Sequence, residues 1–472
     1  MYTDVHGRRK GGMLMEHLMA VILAAGEGKR MMSKNSKVVH MVCEKPLVNW
    51  VCKSVNKAGI NDTIIVVGHR AEQVKECIGD KARYAVQERQ LGTGHAVMQA
   101  EEYLKEKEGY VFILCGDTPL VTSDTLSKTL DYHKKNANSA TVITADLKDP
   151  AGYGRIIRDN NGDVIKIVEH RDATEEQREI KEINSGMYCF TIKELLIALK
   201  ALDNNNSQGE YYLTDTLEIL ISKGLRVGAV KVNDPDEILG INDRVQLAEA
   251  SEIMNRRILT GLMRSGVTII DPASTYISDE AVIGIDSIIY PGTIIEGNTT
   301  SGEDCIMGPN ARIVSSHIGN RVEINHSVVL DSTVDDDTHV GPFAYIRPGS
   351  KIGKSVKIGD FVEVKKSVIG DNTKLSHLTY VGDAEIGKNV NMGCGVVVVN
   401  YDGMKKHKTI IGDNAFVGCN VNLISPVTVK DNAYIAAGST ITEEVPENAL
   451  AIARCKQQIK ENWVIKKGIK RK

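Results

Sequence analysis

The chain has little proline and few aromatic residues: of 472 residues, 11 are Pro, 5 Phe, 2 Trp and 15 Tyr. Yet 42% of the residues are hydrophobic, which excludes a disordered chain. A large core with so few rings must be filled by Val, Ile and Leu, and that points to many buried strands. No charge dominates. The 58 basic and 61 acidic residues leave a net −3, which gives no whole-chain signal for nucleic acid or a membrane surface. No apolar run reaches ~18 residues, so no membrane-spanning helix is expected. The nine cysteines (Cys43, Cys52, Cys77, Cys115, Cys189, Cys305, Cys394, Cys419, Cys455) are odd in number and none shows C-x-x-C spacing. This pattern argues against a disulfide framework and a zinc knuckle. A reducing, cytoplasmic setting fits, with most of the thiols as small buried hydrophobes. Glycine is plentiful at 42 residues.

At ~150 residues per domain the length is worth about three domains. Residues 1–17 carry Arg8, Arg9 and Lys10 ahead of a short apolar stretch, Leu18–Ala25, that runs into a Gly-rich turn. This reads as a disordered extension before a first strand rather than a signal peptide. Over 18–241, short Val/Ile runs (MAVILAAG, TIIVVGH, VFILCGD, ATVITADL) alternate with segments of helical periodicity. That grammar predicts an α/β Rossmann-like domain, mostly parallel, with ligands beyond the carboxyl ends of its strands. Residues 242–266 predict one linking helix, capped by Asp243.

From 267 to 445 the period becomes six. Aliphatic residues recur at Ile283, Ile289 and Ile295, at Val334, Val340, Ile346, Ile352, Ile358 and Val364, and at Ile411, Val417, Leu423, Val429, Ile435 and Ile441. Hexads are the signature of a parallel β-helix. Three hexads close a coil of 18, so the span holds roughly ten coils, a rod of about 48 Å at ~4.8 Å per coil. VVVVNYDGMKKHKT (Val396–Thr409) breaks phase and predicts a loop pushed out of the rod, either functional or a tolerated insertion. The tail 446–472 ends KKGIKRK, either a solvated end or an anion-binding arm.

LAAGEGKRM follows the first strand. Gly26 and Gly28 let backbone N–H groups approach phosphate oxygens, and Lys29, Arg30 and Lys37 supply charge. The same turn would also serve as a plain strand–helix connection, and it is not a Walker loop. Asp117, at the end of the third strand in CGDTPL, is placed as a Mg²⁺ ligand or as a cap before Pro119. Gly92, Thr93 and Gly94 in QERQLGTGHA can face a flat base, with Gln87 at its edge. GYGR (152–155), VEH (168–170), INSG (183–186) and GEYYLTD (209–215) are polar islands, for sugar hydroxyls or turns.

On the rod, Arg347 and Lys365 are 18 residues apart and stack on neighbouring coils. Two such cations repel unless an anion bridges them, so they mark a phosphate site or two solvated edge residues. His377 lies 12 further on. Imidazole titrates near neutral pH, so it can act as a general base, or it can be structural.

These motifs (LAAGEGKRM, Lys37, QLGTGHA, GD-P and GYGR, then hexads) resemble the bacterial bifunctional N-acetylglucosamine-1-phosphate uridyltransferase/glucosamine-1-phosphate acetyltransferase family from about Leu18 to Trp463. The resemblance implies a left-handed β-helix and a cytoplasmic homotrimer with acetyl-transfer sites between subunits. UTP and acetyl-CoA would be co-substrates and Mg²⁺ the cofactor, with glucosamine 1-phosphate and N-acetylglucosamine 1-phosphate as substrates and neither nucleic acid nor membrane as partner. It implies that Arg30 and Lys37 are catalytic contacts to phosphate. Leu23, Gly26, Gln87, Gly92 and Thr93 would hold the nucleotide, and Asp117 and Asn242 the metal. Gly154, Glu169, Asn184, Tyr212 and Thr214 would line the sugar. On the rod it implies His377 as general base and Arg347, Lys365, Tyr380, Asn391, Asn400 and Tyr401 for glucosamine 1-phosphate. Cys394, Asn400, Tyr401, Cys419, Ala437 and Arg454 would lie along acetyl-CoA. The chain departs from the family at Lys29 (usually Thr), Ser36 (usually Pro) and Cys419 (often Ser). Two other readings stand beside this one. One is a pyrophosphorylase with a non-catalytic β-helix, in which His377 and Asn400–Tyr401 have no use. The other is a trimerising scaffold, in which Asp117 and Asn242 have none.

Overall fold

The computed structural model describes residues 16–160, 162–206 and 208–469. The expected N-terminal extension lies outside the described residues up to position 15, and the last three basic positions of the tail do so as well. The chain divides into two compact units, Met1–Met254 and Asn255–Lys472.

The first unit is built on one sheet. From one edge its strands are Val227–Lys231, Ala140–Asp146, Glu182–Thr191, Gly109–Cys115, His17–Ala24, Asp62–Val67 and Arg83–Val86. All neighbours run parallel except Glu182–Thr191, which is antiparallel to both of its partners. The hairpin Arg155–Arg158/Val164–Val168 attaches to that strand. The continuous apolar run in the first strand has a structural cause. Met19 and Val21 face one hydrophobic cluster while Ala20 and Ile22 face another, so both faces of the sheet are covered. Register places Leu23 beside Val66 and beside Cys115. The carboxyl ends of three parallel strands therefore open at one place.

The helix Arg244–Arg264 follows. Asp243 accepts from the N–H groups of Val245 and Gln246, each at 2.9 Å. In the second unit the far end of this helix buries Leu259 against the first coil, and Asn255 donates to Thr275 O at 2.9 Å.

The rod has three parallel faces of 11, 10 and 8 strands. Every hexad residue named above is buried, and together they form a single core. Three expectations need correction. The coils are not uniformly 18 residues: Ile306 pairs with Glu323, Glu323 with His339 and His339 with Lys357, steps of 17, 16 and 18. Shortened corners absorb the missing residues, and the aliphatic position is kept because it alone faces the core. The expelled loop is shorter than Val396–Thr409, since Val397–Val399 is a strand and Thr409 opens the next one. Only 401–408 leave the rod, and register across them steps by 25, from Ala384 to Thr409. Finally, the strands continue past Val445 to Leu450–Ala451, paired with Tyr434–Ile435. No helix among the described residues is long and apolar enough to cross a membrane.

Candidate active sites

Two cavities adjoin at the carboxyl ends of the parallel strands. One, of about 300 Å³, is lined by Leu23, Gly26, Lys37, Gln87, Gly92, Thr93 and Asp117 among others. The other, of about 240 Å³, is lined by Gly154, Glu169, Asn184, Tyr212 and Thr214 among others. They share Leu23, Thr93 and Cys115. The expected nucleotide residues thus group in one cavity and the expected sugar residues in the next.

The local reasons are visible in the backbone. Gly28 sits in the left-handed region, and a Cβ there would stand 2.7 Å from Lys37 Cβ, so the turn closes only on glycine. Gly92 has φ +106°, and a Cβ would meet Tyr211 O at 2.5 Å. This close approach holds Thr93, whose hydroxyl accepts from Leu213 N–H at 3.1 Å. Gln87 is buried and donates to Gly92 O at 3.1 Å. Ser36, where the family has proline, holds φ −57°, a proline-compatible value, and its N–H donates to Gln73 Oε1 at 2.7 Å. The backbone here is one that proline could also adopt, while serine adds an N–H donor that proline lacks.

Lys37 Nζ bridges Asp117 Oδ2 and Asn242 Oδ1, the latter at 3.1 Å. Two hard oxygens, one of them a carboxylate, thus converge on one cation position beside the nucleotide cavity. That donor set fits Mg²⁺, which takes one or two protein oxygens and completes its shell with water and phosphate. Arg30 does not join them: it is exposed on the short 3₁₀ turn Lys29–Met31, outside the residues that line the cavity.

In the sugar cavity, Asn184 Oδ1 accepts from Gly186 N–H and from the buried Tyr188 hydroxyl, each at 3.0 Å, which fixes the amide and leaves its NH₂ to donate. Burial, then the charges of Asp172 and Asp215, push Glu169 up. Burial, then Glu218 and Asp203, push Asp215 up to about 6 from an ordinary 3.8. Between those values the folded protein holds the proton more firmly than the unfolded chain does. The stabilisation is therefore complete at low pH and is lost as pH rises through the window. Asp215→Asn should remove this decline. In paired unfolding curves its advantage over the native chain is expected to widen by about 1 kcal/mol between pH 4 and 6.5. A constant difference would contradict the shift.

Sequence reasoning missed Cys115, the wall common to both cavities. Its only signal was its place at a strand end. Burial pushes its thiol up to about 12.

On the rod, one column repeats two residues past each buried first-face position: Asp360 after Ile358, His377 after Leu375, Cys394 after Met392, Cys419 after Val417 and Ala437 after Ile435. His377 Nδ1 meets Asp360 Oδ1 at 2.5 Å, and the imidazole in turn holds the Asp360 carboxyl below the usual range. Asn391 lies on the same face, one coil beyond Lys374. Arg454 reaches the corner at Gly438, where a Cβ would stand 3.8 Å from Arg454 Cδ.

A second cluster sits at the other end of the second face. Register carries Arg347 over Lys365, as their spacing implied. No external anion is needed to offset their repulsion, because Arg347 pairs with Glu363 at 2.8 Å and Lys365 stands 4.0 Å from Asp383. Asp383 also accepts from the buried Asn400 amide at 2.5 Å. The nearby Lys406 ammonium pushes Lys365 below the ordinary lysine range. A Cβ on Gly382 would lie 2.4 Å from the Tyr380 hydroxyl and 2.7 Å from Asn400 Nδ2, so the tyrosine folds over this glycine. Tyr401 is exposed in the loop, and its hydroxyl donates to Gly403 O at 2.7 Å. Asp360, Glu363 and Asp383 were missed, yet each lies 16 to 18 residues from its partner, the coil period itself.

The cysteines are all free, but only Cys189 and Cys305 are buried. The expectation that most are core residues is corrected: Cys52 and Cys77 sit partly open on helices, Cys115 at a strand end, and Cys394 and Cys419 at rod corners.

The nucleotidyl transferase family matches residues 19–236, and the GMPPB C-terminal domain matches 331–449. The curated "Bifunctional protein GlmU" of Acetivibrio thermocellus is 70% identical over 457 residues, covering 97% of this chain and 99% of the relative. The chain belongs to the GlmU family. GlmU proteins of Caldanaerobacter subterraneus subsp. tengcongensis and of Geobacillus sp. (strain WCH70) are 60% and 58% identical, each over 96% of this chain and over 100% and 98% of their own lengths. Within this GlmU-family chain, the first family match falls in the sheet unit and the second in the rod.

Proposed function

We infer that the chain is a bifunctional enzyme of UDP-N-acetylglucosamine synthesis. The rod transfers acetyl from acetyl-CoA to the amine of glucosamine 1-phosphate. The sheet unit then transfers UMP from UTP to N-acetylglucosamine 1-phosphate and releases pyrophosphate, supplying a precursor for peptidoglycan and other cell-wall polysaccharides. The observation that carries the two-site reading is the Asp360–His377 pair on the rod, for which a spacer has no use.

At the first site, the Gly26–Gly28 turn and Lys37 take the triphosphate, with Arg30 on the outer side of the turn. Gln87, Gly92 and Thr93 take the base, and Gly154, Glu169, Asn184, Tyr212 and Thr214 orient the sugar phosphate. Its oxygen attacks the α-phosphorus in line, so positioning and charge neutralisation supply the rate. Asp117 and Asn242 would hold Mg²⁺, which would supply neutralisation of the phosphate charge.

At the second site, Arg347 and Lys365 hold the sugar's phosphate, with Tyr380, Asn391, Asn400 and Tyr401 around the ring. Cys394, Cys419, Ala437 and Arg454 lie along acetyl-CoA. Asp360 accepts the Nδ1 proton of His377, which leaves Nε2 to take a proton from the attacking amine. A homotrimer with acetyl-transfer sites between subunits completes the reading. It is supported by the exposed ladder of Phe343 stacked on Phe361, with Leu378 next to His377. A cytoplasmic enzyme completes the reading; no helix among the described residues is long and apolar enough to cross a membrane.

Purified protein given glucosamine 1-phosphate, acetyl-CoA, UTP and Mg²⁺ should release both coenzyme A and pyrophosphate and form the UDP-sugar. Release of either one alone removes half of the assignment.

A further inference from the structure

Two thiols occupy successive steps of the column that carries His377. Cys394 and Cys419 each stand two residues past a buried side chain, Met392 and Val417, and these two are register partners. Backbone hydrogen bonds close on both sides of the pair: Gly393 N–H donates to Val417 O, and Asn420 N–H to Cys394 O, each at 2.8 Å. A Cβ on Gly393 would lie 2.6 Å from Cys419 N and 2.9 Å from its Cα, so the coils meet here without slack. Equivalent Cα atoms on neighbouring parallel strands are ~4.8 Å apart, inside the ~4.4–6.8 Å window that a disulfide requires. Both thiols are free; Cys394 is half-buried and Cys419 exposed. One coil earlier, His377 O accepts from Gly395 N–H at 3.4 Å.

We propose that Cys394 and Cys419 form a covalent oxidation site, closing to an intrachain disulfide that shuts the acetyl-transfer site. The oxidant is a low-molecular-weight disulfide. One thiolate attacks it, forming a mixed disulfide and releasing one small thiol. The second thiolate attacks that mixed disulfide and releases the other. The protein gives up two electrons and two protons, and one reagent disulfide becomes two thiols. The bond joins two residues that line the thioester path and stands one coil from the base. This consequence rests on the acetyl-transfer reading, whereas formation of the bond does not.

The test uses the full chain, incubated with oxidised glutathione and then desalted. Unreduced digests are mapped by mass spectrometry, while N-acetylglucosamine 1-phosphate and UDP-sugar formation are assayed separately. The expected result is a Cys394–Cys419 cross-link, at least a tenfold loss of acetyl transfer, unchanged uridyl transfer, and recovery with dithiothreitol. Cys394→Ser and Cys419→Ser should each show the same rate before and after oxidation, whatever that rate is. A cross-link to Cys455, stable glutathione adducts alone, or no cross-link would overturn the proposal. So would a cross-linked protein that still transfers acetyl at full rate, or a loss that persists in both variants. If the reduced protein transfers no acetyl group, the acetyl-transfer reading fails, and the cross-link map still decides whether the pair forms.

Discussion

His377→Ala should lose acetyl transfer by about 10²–10⁴-fold in kcat, the usual contribution of a positioned general base, while pyrophosphate release stays at the native rate. The imidazole is on the rod surface, bonded at Nδ1 to the Asp360 carboxylate one coil away. Truncating an exposed corner residue opens no core cavity, so folding should be unaffected and the loss is chemical. The substrate amine arrives as an ammonium and must lose a proton before it attacks the thioester. Without His377 the group positioned to take it is gone. Coenzyme A release measured beside pyrophosphate release checks the result, and equal loss of both would refute the assignment.

Asp117→Ala should do the reverse. Its carboxylate meets Lys37 Nζ, which also contacts Asn242 Oδ1. Removing it takes away one of two oxygens able to hold a divalent cation and leaves the ammonium with a single neutral partner. Metal-assisted charge stabilisation is worth several kcal/mol, so uridyl transfer should fall on the order of 10³-fold. Acetyl transfer, carried by residues of the other unit, should be unchanged. Uridyl transfer within tenfold of native would contradict the role given to Asp117.

The parts of the fold that follow from pattern were legible in the residues. A six-residue aliphatic period has one physical realisation, because each aliphatic side chain must face the axis. Likewise the apolar run Met19–Ile22 had to be covered on both faces. Coil length was less legible, since a corner can drop a residue without moving the buried one. The loop's onset was misread for a related reason: Val396–Val399 looks surplus in sequence, but Val396 and Val398 are core residues, Asn400 is buried, and only Tyr401 onward is expelled. At the candidate sites, sequence reading named residues with chemically loaded side chains but not the groups that neutralise them. Glu363, Asp383 and Asp360 are ordinary acidic residues until the coil stacks them on Arg347, Lys365 and His377. Cys115 was missed because a small apolar wall has no signature. Arg30 shows the converse, a charged residue in a loud motif whose side chain stays at the surface.

The central claim is that one chain carries two chemically independent sites joined by a diffusible intermediate. The most direct measurement mixes the two inactive proteins. His377→Ala alone and Asp117→Ala alone should each form almost no UDP-N-acetylglucosamine from glucosamine 1-phosphate, acetyl-CoA, UTP and Mg²⁺. An equal mixture should form it at a rate near half the native one, because the sugar phosphate acetylated by one protein is uridylylated by the other. No product from the mixture, with both proteins folded, would contradict the account.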